Sequence, residues 1–453
     1  MTFEQAKQVL EKNDQGHVLR FWDVLDAGER AQLLDQVAGL DFASIARMRG
    51  MLTSKSAAAA AAEPTAPEVV ELTDDARAAA YAAGEAELHA GKVAVLLVAG
   101  GQGSRLGYEG PKGAYSIGPV TGRPLFYFHA RKIVGLCRRY GVRIPFYIMT
   151  SDVNDAATRT HFEDHNYFGL DRNDVTFFMQ GMWPALDEKG RIMLDQPGHI
   201  FMSPDGHGGT LTALDKDGCL ADMERRGINT VFYFQVDNPL VEIADPAFIG
   251  LHVVRRADIS VKLCAKRDPK EGLGVVVERE GRCEMVEYTE LTDEQANRRT
   301  AAGELYFKYG SVAIHVFSLP FLKTEAGKAM PLHLAHKKIP VCSENGTAVQ
   351  PTKNNGYKFE KFIFDVLPDA RAVVNLAFER AEEFSPVKNA AGSDSPATCK
   401  HDMQAKWLRW FKAAGIQMPV TAAGAPVFPM EIDPAYALDV TDLKKKGISL
   451  KAE

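Results

Sequence analysis

What this 453-residue sequence lacks narrows its function before any motif is read. Six cysteines, at positions 137, 219, 264, 283, 342 and 399, form no C-x-x-C pair. That scatter supplies neither a zinc site nor a disulfide framework, and it suits reduced thiols buried as small hydrophobes in a cytoplasmic protein. No stretch approaches the ~18 consecutive apolar residues of a membrane span. The N-terminal MTFEQAKQVLEKND is polar, without the apolar core of a secretion signal. A soluble cytoplasmic chain with no membrane partner is expected. Positive charge is not in excess either, since 53 Lys and Arg against 59 Asp and Glu leave a net charge of -6. A nucleic-acid binder is normally basic. Nucleic acid is therefore not expected as a partner, and any phosphate site must be a local cluster of cations. There is no internal repeat.

The length exceeds one typical core, which implies two or three domains. Residues 4–50 carry helical spacing, as in Val18, Phe21, Trp22, Leu25, Leu33, Leu34 and Val37. The run SKSAAAAAAEPTAP at 54–67 reads as a linker or a poorly packed helix. The expected division is a helical N-terminal extension with its alanine-rich linker over 1–90, a main domain over 91–400 and a C-terminal region over 401–453. Within the main domain, strand patterns at 144–149, 175–179, 230–236, 259–265, 274–277 and 284–287 alternate with helix patterns at 124–140, 152–166, 211–226 and 246–256. Alternation of this kind predicts βαβ units and an α/β fold with a doubly wound, mostly parallel sheet. Ile259, Val261, Leu263 and Ala265 alternate with Ser260, Lys262, Cys264 and Lys266, which predicts one exposed face. The aromatic cluster in PTKNNGYKFEKFIFDVLPDA is expected to pack on the main domain, and the last forty residues to form a short tail.

The rest is arranged around VAVLLVAGGQGSRLGYEGPK, residues 93–112. An apolar run typical of a strand buried on both faces breaks at once into Gly100, Gly101, Gln102 and Gly103. A glycine-rich loop at the end of such a strand offers backbone N–H groups to a ligand. The spacing matches neither G-x-G-x-x-G nor G-x-x-x-x-G-K-[ST], so both the dinucleotide and the Walker readings fail. Plain structural punctuation is the alternative for the glycines alone. Arg105 and Lys112 favour an anion site, because two cations beside exposed N–H groups suit polyphosphate.

Three other places carry chemistry. Asp237 and Asn238 follow the apolar run TVFYFQV, where a carboxylate either holds Mg²⁺ against phosphate oxygens or caps the next helix. SPDGHGGT at 203–210 is a second glycine cluster leading into a helix, a close-approach site for a base or sugar or else a simple turn. His207 within it reads as catalytic or as an ordinary hydrogen-bonding loop histidine. Lys388, in EFSPVKNA, is by residue type a solvated loop lysine.

The wording of these segments resembles the UTP-dependent sugar-1-phosphate uridylyltransferases, most closely the eukaryotic-type UDP-N-acetylhexosamine pyrophosphorylases. G-G-x-G-S-R-L-G with P-K is followed in order by YIMTS (147–151), FF-x-QGM (177–182), PDG-x-GG (204–209), VDN (236–238), ADP-x-FIG (244–250), MVEY (285–288), KKIP (337–340), EKF-x-FD (360–365) and EFSP-x-KNA (383–390). The resemblance covers about residues 90–400 and implies a Rossmann-like nucleotidyltransferase domain. It also implies that Gly100, Gly101, Gln102 and Gly103 contact the nucleotide, that Arg105 and Lys112 hold the triphosphate, and that Gln180 and Gly206 read the uracil. By the same resemblance Asp237 binds the metal, Lys388 contacts the transferring phosphate, and Asn238 and Glu287 lie with the sugar. Two departures fall on the sugar side: His207 stands where an asparagine is usual, and Gly310–Ser311 stands where a Gly-Asn pair is usual. The C-terminal region is also shorter than in eukaryotic members.

The implied partners are UTP and a sugar-1-phosphate, with Mg²⁺ as cofactor. The expected activity makes UDP-sugar and pyrophosphate, with N-acetylglucosamine-1-phosphate as the sugar substrate. His207 and Ser311 keep glucose-1-phosphate, or a broad UDP-sugar pyrophosphorylase, as the alternative. A non-catalytic UDP-sugar-binding regulator is the rival from another class, against which the retained Arg105, Lys112, Asp237 and Lys388 speak. A glycosyltransferase would normally carry D-x-D after a strand, which VDN is not.

Overall fold

The computed structural model describes residues 1–53, 62–422 and 424–446, so the expected linker lies outside the described residues from 54 to 61. Contacts group the described residues into two units, neither of them one run of sequence. The larger draws on 64–179, 211–328 and 366–453, the smaller on 1–63, 180–210 and 329–365. This grouping differs from the linear division into 1–90, 91–400 and 401–453.

The larger unit is built on a sheet of β1 (Val93–Val98), β2 (Phe146–Thr150), β3 (Val175–Met179), β4 (Thr230–Gln235), β5 (Ile259–Ala265), β6 (Val275–Arg279), β7 (Arg282–Val286), β8 (Tyr309–Ser318) and β9 (Val373–Ala377). Its order is β3-β2-β1-β4-β8-β5-β9, with the β6–β7 hairpin meeting β8 at the Val275–Gly310 pair. β3, β2, β1 and β4 are mutually parallel, and β8 enters antiparallel to both β4 and β5. β1 is VAVLLV and is buried along almost its whole length, as an apolar run flanked on both edges by parallel neighbours should be. Helices α1 (Asp74–His89), α2 (Leu125–Tyr140), α3 (Asp155–Asp164), α4 (Pro246–Val254) and α5 (Pro396–Ala413) belong to this unit.

The expected exposed face of β5 is not there. Ser260, Lys262 and Cys264 are as buried as their apolar neighbours. Ser260 bonds His252 of α4 at 2.8 Å, and Lys262 meets Asp245 and Glu383, so the polar alternation marks a face covered by other polar groups. The C-terminal stretch is tied to helix α2. Arg131 of α2 holds Asp433 by two bonds of 2.9 and 2.5 Å, and Arg139 holds Asp439 and Asp442 at 2.8 and 2.7 Å. Past the described end of the linker, Thr65 exchanges backbone hydrogen bonds with Glu278 of β6, and Val70 does so with the 375–377 part of β9.

The smaller unit contains the helices Phe3–Lys12, Ala27–Ala38 and Phe42–Thr53, the first two opened by capping boxes at Thr2 and Asp26. Val18, Leu25, Leu33 and Val37 are buried there against Trp183, Leu186, Ile192 and Phe359. The aromatic stretch that was expected on the main domain supplies the strand Gly356–Glu360 of this unit, paired with His333–Lys337.

Candidate active site

Parallel pairing decides where the ligand loops emerge. Val98, the last residue of β1, lies in register with Gln235 of β4 on one side and Met149 of β2 on the other, so the segments after these strands leave the same edge of the sheet. In open α/β sheets that carboxyl edge is where ligands bind.

The glycine loop is held from the β2 side. Ser151 donates its hydroxyl to the Gly100 carbonyl at 2.8 Å, and the buried Asn154 amide reaches the carbonyls of Ala99 and Gly101 at 2.9 and 3.2 Å. The loop closes on itself through Gly103 N–H to Gly110 O at 2.9 Å and Lys112 N–H to Gly101 O at 3.0 Å. Gly103 is required there, since a Cβ would stand 2.7 Å from the Tyr108 ring. Leu106 is buried beneath the loop while Arg105 is exposed. Gln102 is half-buried, its amide 3.4 Å from the Val153 carbonyl.

Lys112 Nζ stands 3.8 Å from the Asp237 carboxylate. Val387 donates its N–H to the Asp237 carbonyl at 2.9 Å, which sets Lys388 next to the same segment, and the Lys388 N–H is fixed on the Asp394 carbonyl at 2.7 Å. Asn238 does the bracing: its buried amide donates to Glu383 O at 2.6 Å and accepts from Ser385 N–H at 3.1 Å. Both ends of that side chain are engaged with the 383–388 loop. Lys112 and Asp237, far apart in sequence, thus approach each other at the ends of β1 and β4, with Arg105 in the same glycine loop and the backbone of the Lys388 loop bonded to Asp237. Glu287 and Ser311 are brought together elsewhere in the unit, around Gly274. Ser311 N–H bonds its carbonyl at 2.8 Å, and a Cβ on Gly274 would lie 3.5 Å from Glu287 Oε1.

Gln180, Gly206 and His207 belong to the smaller unit. Gly206 has φ of 87°, and a Cβ there would meet the Lys361 carbonyl at 2.4 Å. His207 accepts the Ile363 N–H on Nδ1 at 3.1 Å and stacks on Phe362. Burial pushes its pKa down to about 4, so the ring is neutral at pH 7. Sequence reasoning passed over Asp205 and Lys361, which flank this turn. The Asp205 carboxylate lies 3.4 Å from Lys361 Nζ, one of its oxygens is buried without a partner, and burial raises its pKa to about 6. Both sit inside the quoted PDG-x-GG and EKF-x-FD motifs, which was the available signal.

Among the described residues a second acidic group, Glu242, Asp245 and Glu383, has metal-ligand spacing. It does not fit a metal, because Lys262 Nζ already stands 2.8 Å from Asp245 and 2.5 Å from Glu383 while Lys406 takes Glu242 at 3.0 Å. Asp237 fits Mg²⁺ better. Its Lys112 contact is longer than a hydrogen bond, and such sites need one or two carboxylates plus phosphate oxygens and water.

The chain matches known proteins over most of its length. Residues 47–394 match the family model described as UTP–glucose-1-phosphate uridylyltransferase. The chain is 38% identical over 447 residues to UDP-N-acetylhexosamine pyrophosphorylase-like protein 1 of Xenopus tropicalis, covering 94% of this chain and 87% of that protein. It is 39% identical to the UDP-N-acetylglucosamine pyrophosphorylase of Saccharomyces cerevisiae, over 72% of this chain and 71% of that one. The crystal structure of the uridine diphosphate N-acetylglucosamine pyrophosphorylase of Trypanosoma brucei, solved with an inhibitor, superposes with a TM-score of 0.83 at 29% identity, covering 98% of this chain and 94% of that one. A glycine loop with its cations, set beside a carboxylate at the end of a parallel strand, and matches of this length together make the chain a member of the UTP–glucose-1-phosphate uridylyltransferase family, a nucleotidyltransferase.

Proposed function

We propose that this enzyme joins UTP to N-acetylglucosamine-1-phosphate, releasing pyrophosphate and UDP-N-acetylglucosamine. The observation that carries the reading is the meeting of Lys112, Asp237 and the Lys388 loop at the ends of β1 and β4. A phosphate oxygen of the sugar-1-phosphate attacks the α-phosphorus of UTP in line. The new Pα–O bond forms as the bond from Pα to the bridging oxygen of the β-phosphate breaks, and pyrophosphate carries the electron pair away. The attacking oxygen is already ionised at neutral pH, so no general base is needed, and positioning with charge neutralisation does most of the work. The N–H groups of Gly100, Gly101 and Gln102, together with Arg105, receive the triphosphate, while the Gly103 N–H closes the loop on Gly110. Lys112 and Lys388 offset charge on the transferring phosphoryl group. Mg²⁺ bound at Asp237 would draw phosphate oxygens together and neutralise part of their charge. Gln180 and Gly206 are assigned to the uracil, and Glu287, Ser311, Asn238 and His207 to the sugar side. The Asn238 and His207 side chains act there by holding backbone.

Pyrophosphate release from UTP with each sugar phosphate tests the proposal. The expected outcome is a kcat/KM for N-acetylglucosamine-1-phosphate well above that for glucose-1-phosphate. The reverse order would shift the assignment to glucose-1-phosphate, the reading that His207 and Ser311 favour. No release with any sugar phosphate would leave a UDP-sugar-binding protein.

A further inference from the structure

A second place in the larger unit is shaped for a ligand. A cavity of about 260 Å³ is walled by Phe128 and Leu136 of α2, Leu240, and Met403, Trp407 and Trp410 of α5. Arg105, Lys112, Asp237 and Lys388 are not among its lining residues. Its volume lies just below the usual range for small-molecule sites, and its walls combine aromatic and aliphatic side chains with several charged ones.

The polar groups in it are Lys132, Lys406, Glu242 and Asp245, the last held by Lys262 at 2.8 Å, with, further along, Arg77, Tyr81, Arg139 and Asp439. Glu242 is taken by Lys406 at 3.0 Å, and Asp439 by Arg139 at 2.8 Å. Lys132 differs from its neighbours. Its Nζ donates to two neutral peptide carbonyls, those of Pro239 and Val241, at 2.5 and 2.7 Å. Burial, with Lys406 nearby, pushes its pKa down to about 7. A buried ammonium bonded to carbonyls gains from an anion brought to its remaining N–H. The floor is also tied to the active-site segment. Lys406 Nζ donates to the Glu382 carbonyl at 2.5 Å, Glu383 O accepts from Asn238, and Val387 N–H bonds Asp237 O.

We propose that this cavity binds a small aromatic carboxylate, its ring between Trp407, Trp410 and Phe128 and its carboxylate on Lys132, and that occupancy changes UTP affinity through residues 382–388. The second half rests on the UTP reading above, whereas binding itself does not.

The test titrates 3-phenylpropionate into the full chain to about 10 mM, with the neutral 3-phenylpropanamide beside it, following tryptophan emission and the thermal midpoint. Expected are a saturable emission change and a raised midpoint with the carboxylate, binding at least about tenfold weaker for the amide, and a change of about twofold or more in the KM for UTP. Lys132→Met should remove the effect, and Leu438→Trp, which fills the cavity from its wall, should remove the midpoint shift. No saturable change, equal binding of the amide, or binding retained in both variants would overturn the site. Binding with an unchanged KM would overturn its regulatory role. Should the chain release no pyrophosphate at all, the proposed activity fails while the emission titration still decides the cavity.

Discussion

Two clusters of lysine and carboxylate belong to the larger unit, and they do opposite things. At the sheet edge, Lys112 and Asp237 stand 3.8 Å apart with side chains 17% and 14% exposed. Under β5, Lys262 is 1% exposed and closes on Asp245 and Glu383 at 2.8 and 2.5 Å. The closed cluster has used its charges on itself. Asp245 and Glu383 draw Lys262 above the ordinary lysine range against the pull of burial, and burial together with the Glu242 and Asp245 charges pushes Glu383 up to about 7 despite Lys262. The open pair keeps charge available for a phosphate or a cation. Each joins a lysine to a carboxylate more than a hundred residues away, so residue type and sequence separation do not distinguish them.

The comparison can be broken most forcefully at Lys262. Lys262→Met leaves Asp245 and Glu383 buried without their cation and should cost about 3–5 kcal/mol, read as a lower urea midpoint. A variant of undiminished stability would mean that the cluster is not closed as described. At the open pair the loss should fall on turnover. Lys112→Ala and Lys388→Ala should each lower kcat by ~10²–10³ with the unfolding midpoint held, and near-normal pyrophosphate release in either would take that lysine out of the reaction. Asn238→Ala, which frees two backbone groups of the 383–388 loop, should cost about 1–3 kcal/mol and lower turnover as well. Stability lost with full turnover would show that the brace serves the fold alone.

The last effect, spread over a range of pH, separates charged from neutral burial. His129, bonded through Nε2 to Val236 O at 2.9 Å, is pushed by burial from 6.5 to about 3, and His252 to about 4. Both are neutral in the folded protein and take up protons below pH 6.5 when unfolded. Their contribution is therefore complete above pH 6.5 and is lost as pH falls toward 4, by up to about 1.4 kcal/mol per pH unit for each. The urea midpoint should drop between pH 7 and pH 5, and a rise over that window would contradict the assignment.

Much of this was legible in advance because the signals are local. The strands at 175–179 and 259–265 were placed from their apolar patterns, and the glycine loop from its wording after a buried run. Asp237 was singled out because a carboxylate directly after an apolar strand is conspicuous. The covered face of β5 was not legible, since Ser260 and Lys262 look like a solvated face until His252, Asp245 and Glu383 arrive from elsewhere. Asp205 and Lys361 were missed for the same reason. Each is an ordinary charged residue until the turn at Gly206 folds onto residue 361.

By itself the sequence determined which segments become buried strands and which loop is free of side chains, because both follow from apolar periodicity and glycine content over a few residues. Only the tertiary structure decided which charges stay open. The distance of Lys112 from Asp237, and of Lys262 from Glu383, is set by parallel pairing and by loops returning from more than a hundred residues away, and a Coulomb interaction depends on that distance and on burial, not on order along the chain.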